Sequence, residues 1–417
     1  MNQSFILSDG TKVHYYQTDK FKTLTIRLIF KDYLVKEDYM KRWILSSMLS
    51  KSNKKYPEEN EFSRYLHELY SMNFSTYFTS RGIVETFNIG INIINHKYIK
   101  EDINLIKKAF ELSQDVLYNA DLTIDKFNLE VNLLKSQICG NMNKRQYAYK
   151  KYRELMFDKK LEDYDSNKEE LINQITFDEI AKYYHSLRKR RCEILIVGDV
   201  SEEEIKNAYE GFNFTNIDNT NSLLISRTTN VQNLVYVDQP KIVIEPSDTK
   251  QSQLCIGYRT NVLFNIKERY ALTTLINMLG GDTYSTLYKE IREKRSLAYS
   301  ISVREDTSKS VFIHTSISSS NYEEVIKVIN EVMENYKSGN IDPNLLELAR
   351  IGLTSGTITE YDRPSYYMEN LFTYSLGETT LPLEERIKIA NELTIEDIRK
   401  VSEKLTLSVC YFLKGEL

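Results

Sequence analysis

The sequence predicts an α+β fold of two homologous halves, each a mostly antiparallel sheet packed against helices. Three observations carry that prediction: an internal repeat, the order of strands and helices within each half, and enough apolar material for a large core. Thr176-Phe-Asp-Glu-Ile180 is echoed by Thr394-Ile-Glu-Asp-Ile398, 218 residues later. Each is preceded by a short helical run (Glu169–Ile175; Arg386–Leu393) and followed by a helix and a strand that ends at glycine, Gly198 and Gly415. His67 and Phe74 match Arg292 and Tyr299 at an offset of 225, and the strand around Phe87 matches that around Phe312. The helix over 125–137 matches 342–354 at an offset of 217. One such coincidence is cheap; five in the same order indicate a duplicated unit.

The first half is placed at residues 1–212 and the second at 235–417, with 213–234 as a linker. The joint, rich in Asn and Thr, has no helical periodicity and reads as exposed chain. Within the first half, strands are expected at 12–16 and 24–30, where Leu24, Ile26 and Leu28 alternate with Thr25, Arg27 and Ile29. Helices follow at 39–49 and 59–69, then strands at 73–80 and 84–94. Two long helices, 100–117 and 125–157, complete the unit. Strands beside helices, not strictly alternating with them, favour α+β over a Rossmann-type sheet.

Composition narrows the function. The chain has 417 residues, 41% hydrophobic and 27% charged, an ordinary globular balance. Lys and Arg number 55 against 59 acidic residues, a net charge of −4, which argues against a nucleic-acid binder. No apolar run reaches membrane-spanning length and the N-terminus carries no secretory pattern, so no membrane partner is expected. Four dispersed cysteines without a CxxC pair suit reduced thiols and a cytoplasmic location.

Three stretches share one likeness. Leu7-Ser-Asp-Gly-Thr-Lys-Val13 opens the chain, and Trp43-Ile-Leu-Ser-Ser-Met-Leu49 is followed by Asn53-Lys-Lys-Tyr-Pro57. Asn277-Met-Leu-Gly-Gly-Asp-Thr-Tyr-Ser-Thr-Leu-Tyr-Lys-Glu-Ile-Arg-Glu-Lys-Arg-Ser-Leu-Ala-Tyr299 is the longest. Together they resemble the pitrilysin/insulinase-type (inverzincin) peptidases over nearly the whole chain. The third stretch is similar to that family's LGG-x-x-S-S-R-L-x-x-x-L-R-E-x-x-G-L-A-Y.

In active members an HxxEH helix supplies two zinc-binding histidines and a general-base glutamate, and a downstream E-x6-E supplies the third ligand. Here the HxxEH positions read Trp43, Ser46 and Ser47, and the downstream pattern reads Glu130-x6-Gln137. The degenerate positions are therefore Trp43, Ser46, Ser47 and Gln137, and no metal is expected in this chain. None of the five histidines, His14, His67, His96, His185 and His314, forms HxxEH or HExxH. Glu130 reads as a retained structural acid.

What the resemblance retains is the arginine and tyrosine, seven apart, that the second half of such enzymes turns toward substrate. Arg292 and Tyr299 keep that spacing, whereas the first half has His67 and Phe74 there. The resemblance thus implies a non-catalytic subunit of a heterodimeric zinc metallopeptidase, without peptidase activity alone, closing the peptide chamber and supplying Arg292 and Tyr299 in trans. Zinc is expected in the partner, a homologous subunit carrying HxxEH, and the substrate is a peptide or small protein. Among bacterial members the chain looks most like the insulinase-like pair associated with elongation factor P modification; paired leader peptidases look similar. The glycine-rich loop of mitochondrial-type silent subunits is absent.

Blander readings stand beside these. Arg292 is otherwise a helix-surface salt-bridge residue and Tyr299 one of 30 tyrosines. Gly280-Gly281 reads as a helix-ending turn, not a phosphate nest. Arg188-Lys-Arg-Arg191 reads as a helix C-terminal cap, and Lys144–Tyr152 as a solvated face or cavity wall. The alternative functions are a purely structural core-type subunit and a peptide-binding protein without peptidase activity.

Overall fold

The structure is a computed structural model that describes residues 2–81, 84–139, 143–156, 168–214, 239–260, 262, 265–306, 310–378 and 380–416. The expected linker, 213–234, lies outside the described residues apart from its first two positions. Two compact units emerge. The first comprises 1–140, 167–230 and 361–380; the second comprises 141–166, 231–360 and 381–417.

The first unit holds a six-stranded sheet in the order β1-β2-β6-β3-β5-β4. Its strands are β1 (Gln3–Ile6), β2 (Lys12–Gln17), β3 (Thr23–Tyr33), β4 (Asn73–Arg81), β5 (Val84–Ile94) and β6 (Cys192–Gly198). All pairings are antiparallel except β2 with β6. The expected strands are present; β1, which the sequence reading did not single out, adds a short edge. It turns into β2 at Gly10 (φ 83°), and Asp9 secures the turn by accepting from Thr11, the Tyr209 hydroxyl and the Phe214 amide.

Helices α1 (Tyr39–Lys51), α2 (Glu59–Glu68), α3 (Leu105–Tyr118), α4 (Ile124–Cys139), α5 (Lys144–Met156), α6 (Lys168–Gln174), α7 (Phe177–Leu187) and α8 (Glu202–Tyr209) come from the first part of the chain. All but α5 belong to the first unit. One sheet face carries Leu24, Ile26, Leu28, Phe30, Phe87, Ile89 and Ile91 into the core beneath these helices. The strict alternation in β3 follows from this: the opposite face is a separate layer.

The second unit repeats the plan with β7 (Lys241–Pro246), β8 (Ser252–Arg259), β9 (Ala298–Glu305), β10 (Val311–Ile317) and β11 (Thr406–Lys414), in the order β7-β11-β8-β10-β9. Its parallel pair, β7 with β11, answers β2 with β6. The helices are α9 (Ile266–Gly280), α10 (Tyr322–Ser338), α11 (Pro343–Glu360), α12 (Pro364–Ser375), α13 (Leu383–Asn391) and α14 (Ile395–Glu403), of which α12 belongs to the first unit.

The duplication extends to local geometry. Thr176 and Thr394 each close a capping box, with Glu179 and Asp397 reaching back to the cap amide. Ser71 and Ser296, 225 residues apart, both have positive φ, 56° and 52°. Both turns are tied by the same backbone bonds, Met72 to Leu66 and Leu297 to Ile291, each 2.9 Å. Within the strands the offset slips: Phe87 faces the helical core, whereas Phe312 lies on the opposite sheet face. A one-residue register change reverses every side chain.

Each sheet's second face is covered by one helix from the other half of the chain. Tyr367, Met368, Leu371 and Phe372 of α12 cover Ile29, Leu195 and Val197 of the first sheet. Ala148, Tyr152 and Met156 of α5 cover Cys255, Phe312, Val409 and Tyr411 of the second. The single helix expected over 125–157 is therefore two. Asn143 starts the second by accepting from the Gln146 amide at 2.9 Å. The tyrosines of Lys144–Tyr152 are neither a solvated face nor a nucleic-acid surface: Tyr147 and Tyr149 donate to Glu245 and Asp306, and Tyr152 is fully buried.

Polar contacts fix α12 to the first sheet. Lys31 donates to the Ser375 carbonyl at 2.7 Å and pairs with Glu193 at 2.9 Å, and His14 bonds the other Glu193 oxygen at 3.1 Å. Burial alone would raise the Glu193 pKa; the His14 hydrogen bond and the Lys31 charge outweigh it and hold it at about 2. A carboxylate depressed below its unfolded value, about 4.3, contributes stability above that value and loses it as pH falls toward the folded pKa. Glu193→Gln is expected to remove roughly 2–3 kcal/mol at neutral pH and to flatten the acid unfolding limb below about pH 4.3. Urea titrations across that range check both.

Candidate functional site

Helix α1 carries Trp43, Ser46 and Ser47, the positions expected from sequence to be degenerate zinc positions. Met40, Ile44, Leu45, Met48 and Leu49 form its buried stripe, so Trp43, Ser46, Ser47 and Ser50 are left to meet other elements. Ser46 donates to the Trp43 carbonyl at 3.0 Å, and the Ser46 carbonyl accepts from Thr76 of β4 at 2.7 Å. Ser50 accepts from the Thr76 amide at 3.0 Å, so α1 is laced onto β4, an edge strand.

Ser47 donates to Glu130 of α4 at 2.5 Å, and Lys51 donates to the other Glu130 oxygen at 2.5 Å. Glu130 is only 7% exposed, so this pair answers its charge inside the unit. Gln137 lies two helical turns further along α4, about 10 Å away, and is exposed. The acid that the structure brings to α1 is thus Glu130, read from sequence as a structural residue.

Zinc does not fit this donor set. An indole has no lone pair to give, a neutral hydroxyl is a poor ligand, and the one carboxylate is engaged by an ammonium. Among the described residues no three His, Cys, Asp or Glu side chains group as a metal site. Lys51 occupies the electrostatic role that a cation would otherwise fill beside Glu130. Accordingly Trp43→His/Ser46→Glu/Ser47→His is expected to bind zinc weakly, and adding Lys51→Ala to tighten it by about 10–100-fold, the usual weight of a neighbouring group that sets a ligand's charge. Competition with a chromogenic chelator measures both.

Beside α1 is a cleft of about 320 Å³, walled by Tyr39, Trp43, Tyr77 and Phe78 and floored by Arg42 and Glu85. Glu85 is 2% exposed. It pairs with Arg42, accepts from Tyr183 at 2.8 Å and pairs with Arg190 at 3.1 Å. Of the basic run 188–191, Arg190 is therefore a buried partner of Glu85, while Arg188 donates to the Leu117 carbonyl at the end of α3. The expected cap is real and serves a different helix from the one Arg188 follows.

The second unit holds Arg292 and Tyr299. Residues Tyr288–Glu293 form a π-helical turn, a wide turn that recurs at functional positions. It leads through Ser296 into β9, an edge strand of the sheet. Arg292 bonds the Tyr288 hydroxyl, and its guanidinium carbon lies 4.8 Å from the Tyr288 ring centre and 5.6 Å from that of Tyr299. No carboxylate pairs with Arg292 among the described residues, whereas neighbouring Lys294 and Arg295 both pair with Glu290. Tyr299 is 76% exposed. Among the described residues the salt-bridge reading of Arg292 finds no acid: the guanidinium lies near two aromatic rings and bonds a hydroxyl.

The LGG segment supports the same turn. A side chain at Gly280 would meet Val303 of β9 at 2.3 Å, so that glycine permits close helix–strand approach and ends α9. Ser296 stands where the similar family motif has glycine, in the left-handed region that costs a side-chain-bearing residue about 1–2 kcal/mol. Ser296→Gly is expected to stabilise by about 0.5–1 kcal/mol after the added chain entropy is subtracted. Thermal melts will show it, and a fall in melting temperature would refute it.

Residues 174–353 match a protein family described as the peptidase M16 inactive domain, a span that includes the whole Asn277–Tyr299 stretch. Over 421 positions, 97% of this chain and 96% of the relative, the sequence is 27% identical to a probable inactive metalloprotease, YmfF, of Bacillus subtilis (strain 168). The fold matches a conserved protein from Enterococcus faecalis V583 with a TM-score of 0.85 at 24% identity, covering 100% of this chain and 99% of that one. It also matches a protease from Helicobacter pylori with a TM-score of 0.73 at 17% identity, covering 100% and 99%. The resemblance carried by the three sequence stretches and the two-half α+β fold are both borne out. No described helix is long and apolar enough to cross a membrane.

Proposed function

We propose that this chain, similar to the inactive M16 kind, is the zinc-free subunit of a heterodimeric metallopeptidase and lends Arg292 and Tyr299 to its partner's active site. The observation that carries the reading is the state of Arg292: a guanidinium close to the rings of Tyr288 and Tyr299, without a carboxylate partner among the described residues, beside an exposed phenol. A residue kept for stability would be paired. A residue kept for substrate must leave its donors available.

The chemistry follows from the groups. Arginine offers a planar fork of donors and no acceptor, and tyrosine offers one donating hydroxyl. Aimed at a scissile peptide, they hold its carbonyl and stabilise negative charge as it develops on that oxygen. The Tyr288 hydroxyl and the nearby rings restrain the guanidinium before substrate arrives, so less side-chain freedom is lost on binding. Zinc and the general base come from the partner, a homologous HxxEH subunit, and the substrate is a peptide or small protein in a cytoplasmic setting.

Copurification tests the pairing. A tagged full-length chain should retain a partner of similar size bearing HxxEH, and the mixture alone should cleave peptides. Recovery of this chain only as a self-contained protein, with no peptidase gained on adding HxxEH homologues from the same organism, would favour the structural-subunit alternative.

A further inference from the structure

We propose that Tyr288 is a positioning residue of the candidate site: it sets where the Arg292 guanidinium points, and the π-helical turn Tyr288–Glu293 is what brings the two together. The inference rests on Arg292 serving substrate, and adds the residue that aims it. The Arg292 side chain donates to the Tyr288 hydroxyl, and its guanidinium carbon lies 4.8 Å from that ring's centre. Tyr288 is itself held from behind, half-buried and packed against the core of the second unit. A phenol anchored in a core is a rigid acceptor. The arginine that bonds it commits one donor and keeps the rest of its fork.

The turn explains the approach. The Lys294 amide bonds the Lys289 carbonyl, five residues back, at 2.9 Å. A turn closed at that interval carries more residues than the 3.6 of an α-helix, so side chains four apart come nearly into line along the axis. Tyr288 and Arg292 are four apart. Glu290, the acid between them in sequence, is occupied elsewhere: one oxygen accepts from Lys294 at 2.5 Å and the other from Arg295 at 2.6 Å. The two neighbouring cations thus neutralise the local acid, and the phenol, a neutral acceptor, is what holds Arg292.

The first half of the chain supplies the control. At the offset of 225, Tyr288 and Arg292 correspond to Ser63 and His67 of α2. There the Leu69 amide bonds the Tyr65 carbonyl at 3.2 Å, the ordinary α-helical interval. Both turns then finish alike, Ser71 to His67 and Ser296 to Arg292, each 3.1 Å. The connection into the next strand is therefore made equally well without a π turn. Ser63 and His67 are exposed, whereas Tyr288 and Arg292 are half-buried. The wide turn, the phenol and the arginine occur together in one half and are replaced together in the other, as expected of parts that work as a unit.

Tyr288→Phe removes the acceptor and keeps the ring in its core contact. In the free full-length chain, the order parameter of the Arg292 Nε–H bond, read by NMR relaxation, should fall while those of other arginine side chains hold. In the complex with an HxxEH-bearing partner, turning over an internally quenched peptide, kcat should drop by about tenfold with KM little changed, since misplacing a group by a small distance costs up to about 10². The drop should vanish in an Arg292→Ala background, because Tyr288 acts through Arg292. An unchanged order parameter would overturn the proposal, and so would an equal drop with Arg292→Ala already present. Tyr288→Phe without effect on turnover, where Arg292→Ala lowers it, would overturn the proposal and leave the proposed function standing. Arg292→Ala without effect would overturn the proposed function and this inference with it.

Discussion

Arg292→Ala, placed in this chain and assembled with an HxxEH-bearing partner, is expected to lower kcat/KM by ~10²–10³ without loosening assembly, the usual weight of one oxyanion-type donor. Tyr299→Phe should follow, with a smaller effect if the guanidinium alone carries most of the charge. The prediction separates two meanings of the same pair. A surface cation serving only stability would cost under about 1 kcal/mol and leave turnover intact. Arg292→Lys sharpens the distinction: lysine keeps the charge but not the planar fork, so bidentate positioning predicts little rescue. Turnover by intact heterodimer, with assembly followed by sedimentation, decides. Unchanged kcat/KM in all three variants would leave this chain a structural half.

The residues of the candidate site were legible to different degrees. The poor donor set on α1 could be read directly, because metal binding demands particular atoms and Trp43, Ser46 and Ser47 lack them. Arg292 and Tyr299 were singled out by their place in the Asn277–Tyr299 stretch that resembles the family motif, and the short turn between them brings the guanidinium near the phenol ring. Glu130 was undervalued: its partners, Ser47 and Lys51, are 83 and 79 residues away in sequence, and no local pattern announces them. Lys51 in particular is one more lysine in a lysine-rich chain until α1 and α4 pack. The surroundings of Arg292 were also invisible, since the absence of a carboxylate partner among the described residues is a property of packing.

The fold was legible where structure is local. Capping boxes at Thr176 and Thr394, alternation in β3 and the glycine-ended strands all express short-range chemistry. The joint between α4 and α5 was missed although the sequence carries Gly140 and Asn143 there, a stop residue and a cap within four positions. Helical periodicity on both sides hid it, because each helix is amphipathic in its own right. What periodicity cannot say is which sheet a stripe covers, and α5 and α12 each cover the sheet of the other half. Halves cut from the sequence at the linker would each lose the layer over one sheet face.

Tyr152→Ala measures how much that borrowed layer matters, and a loss of about 3–5 kcal/mol is expected, as for other large buried aromatics. Tyr152 is fully buried, tilted against Phe312 at 4.5 Å between ring centres, and fills the space above Gly257, where an added Cβ would meet its ring at 2.6 Å. No neighbour can collapse into a void bounded by a sheet, so the cavity term stays with the variant. Cys255 supplies the local readout. It lies beneath α5 at 0% exposure, and burial pushes its thiol pKa up, so in the intact unit it reacts slowly with thiol reagents. Opening of α5 exposes it before the whole chain unfolds. Alkylation of Cys255 should therefore accelerate in Tyr152→Ala by far more than alkylation of Cys192, which is buried in the first unit. Phe372→Ala in α12 should leave the Cys255 rate unchanged. Equal acceleration at Cys192 and Cys255 in Tyr152→Ala would mean that the two units unfold as one, and that α5 is not a separately yielding layer.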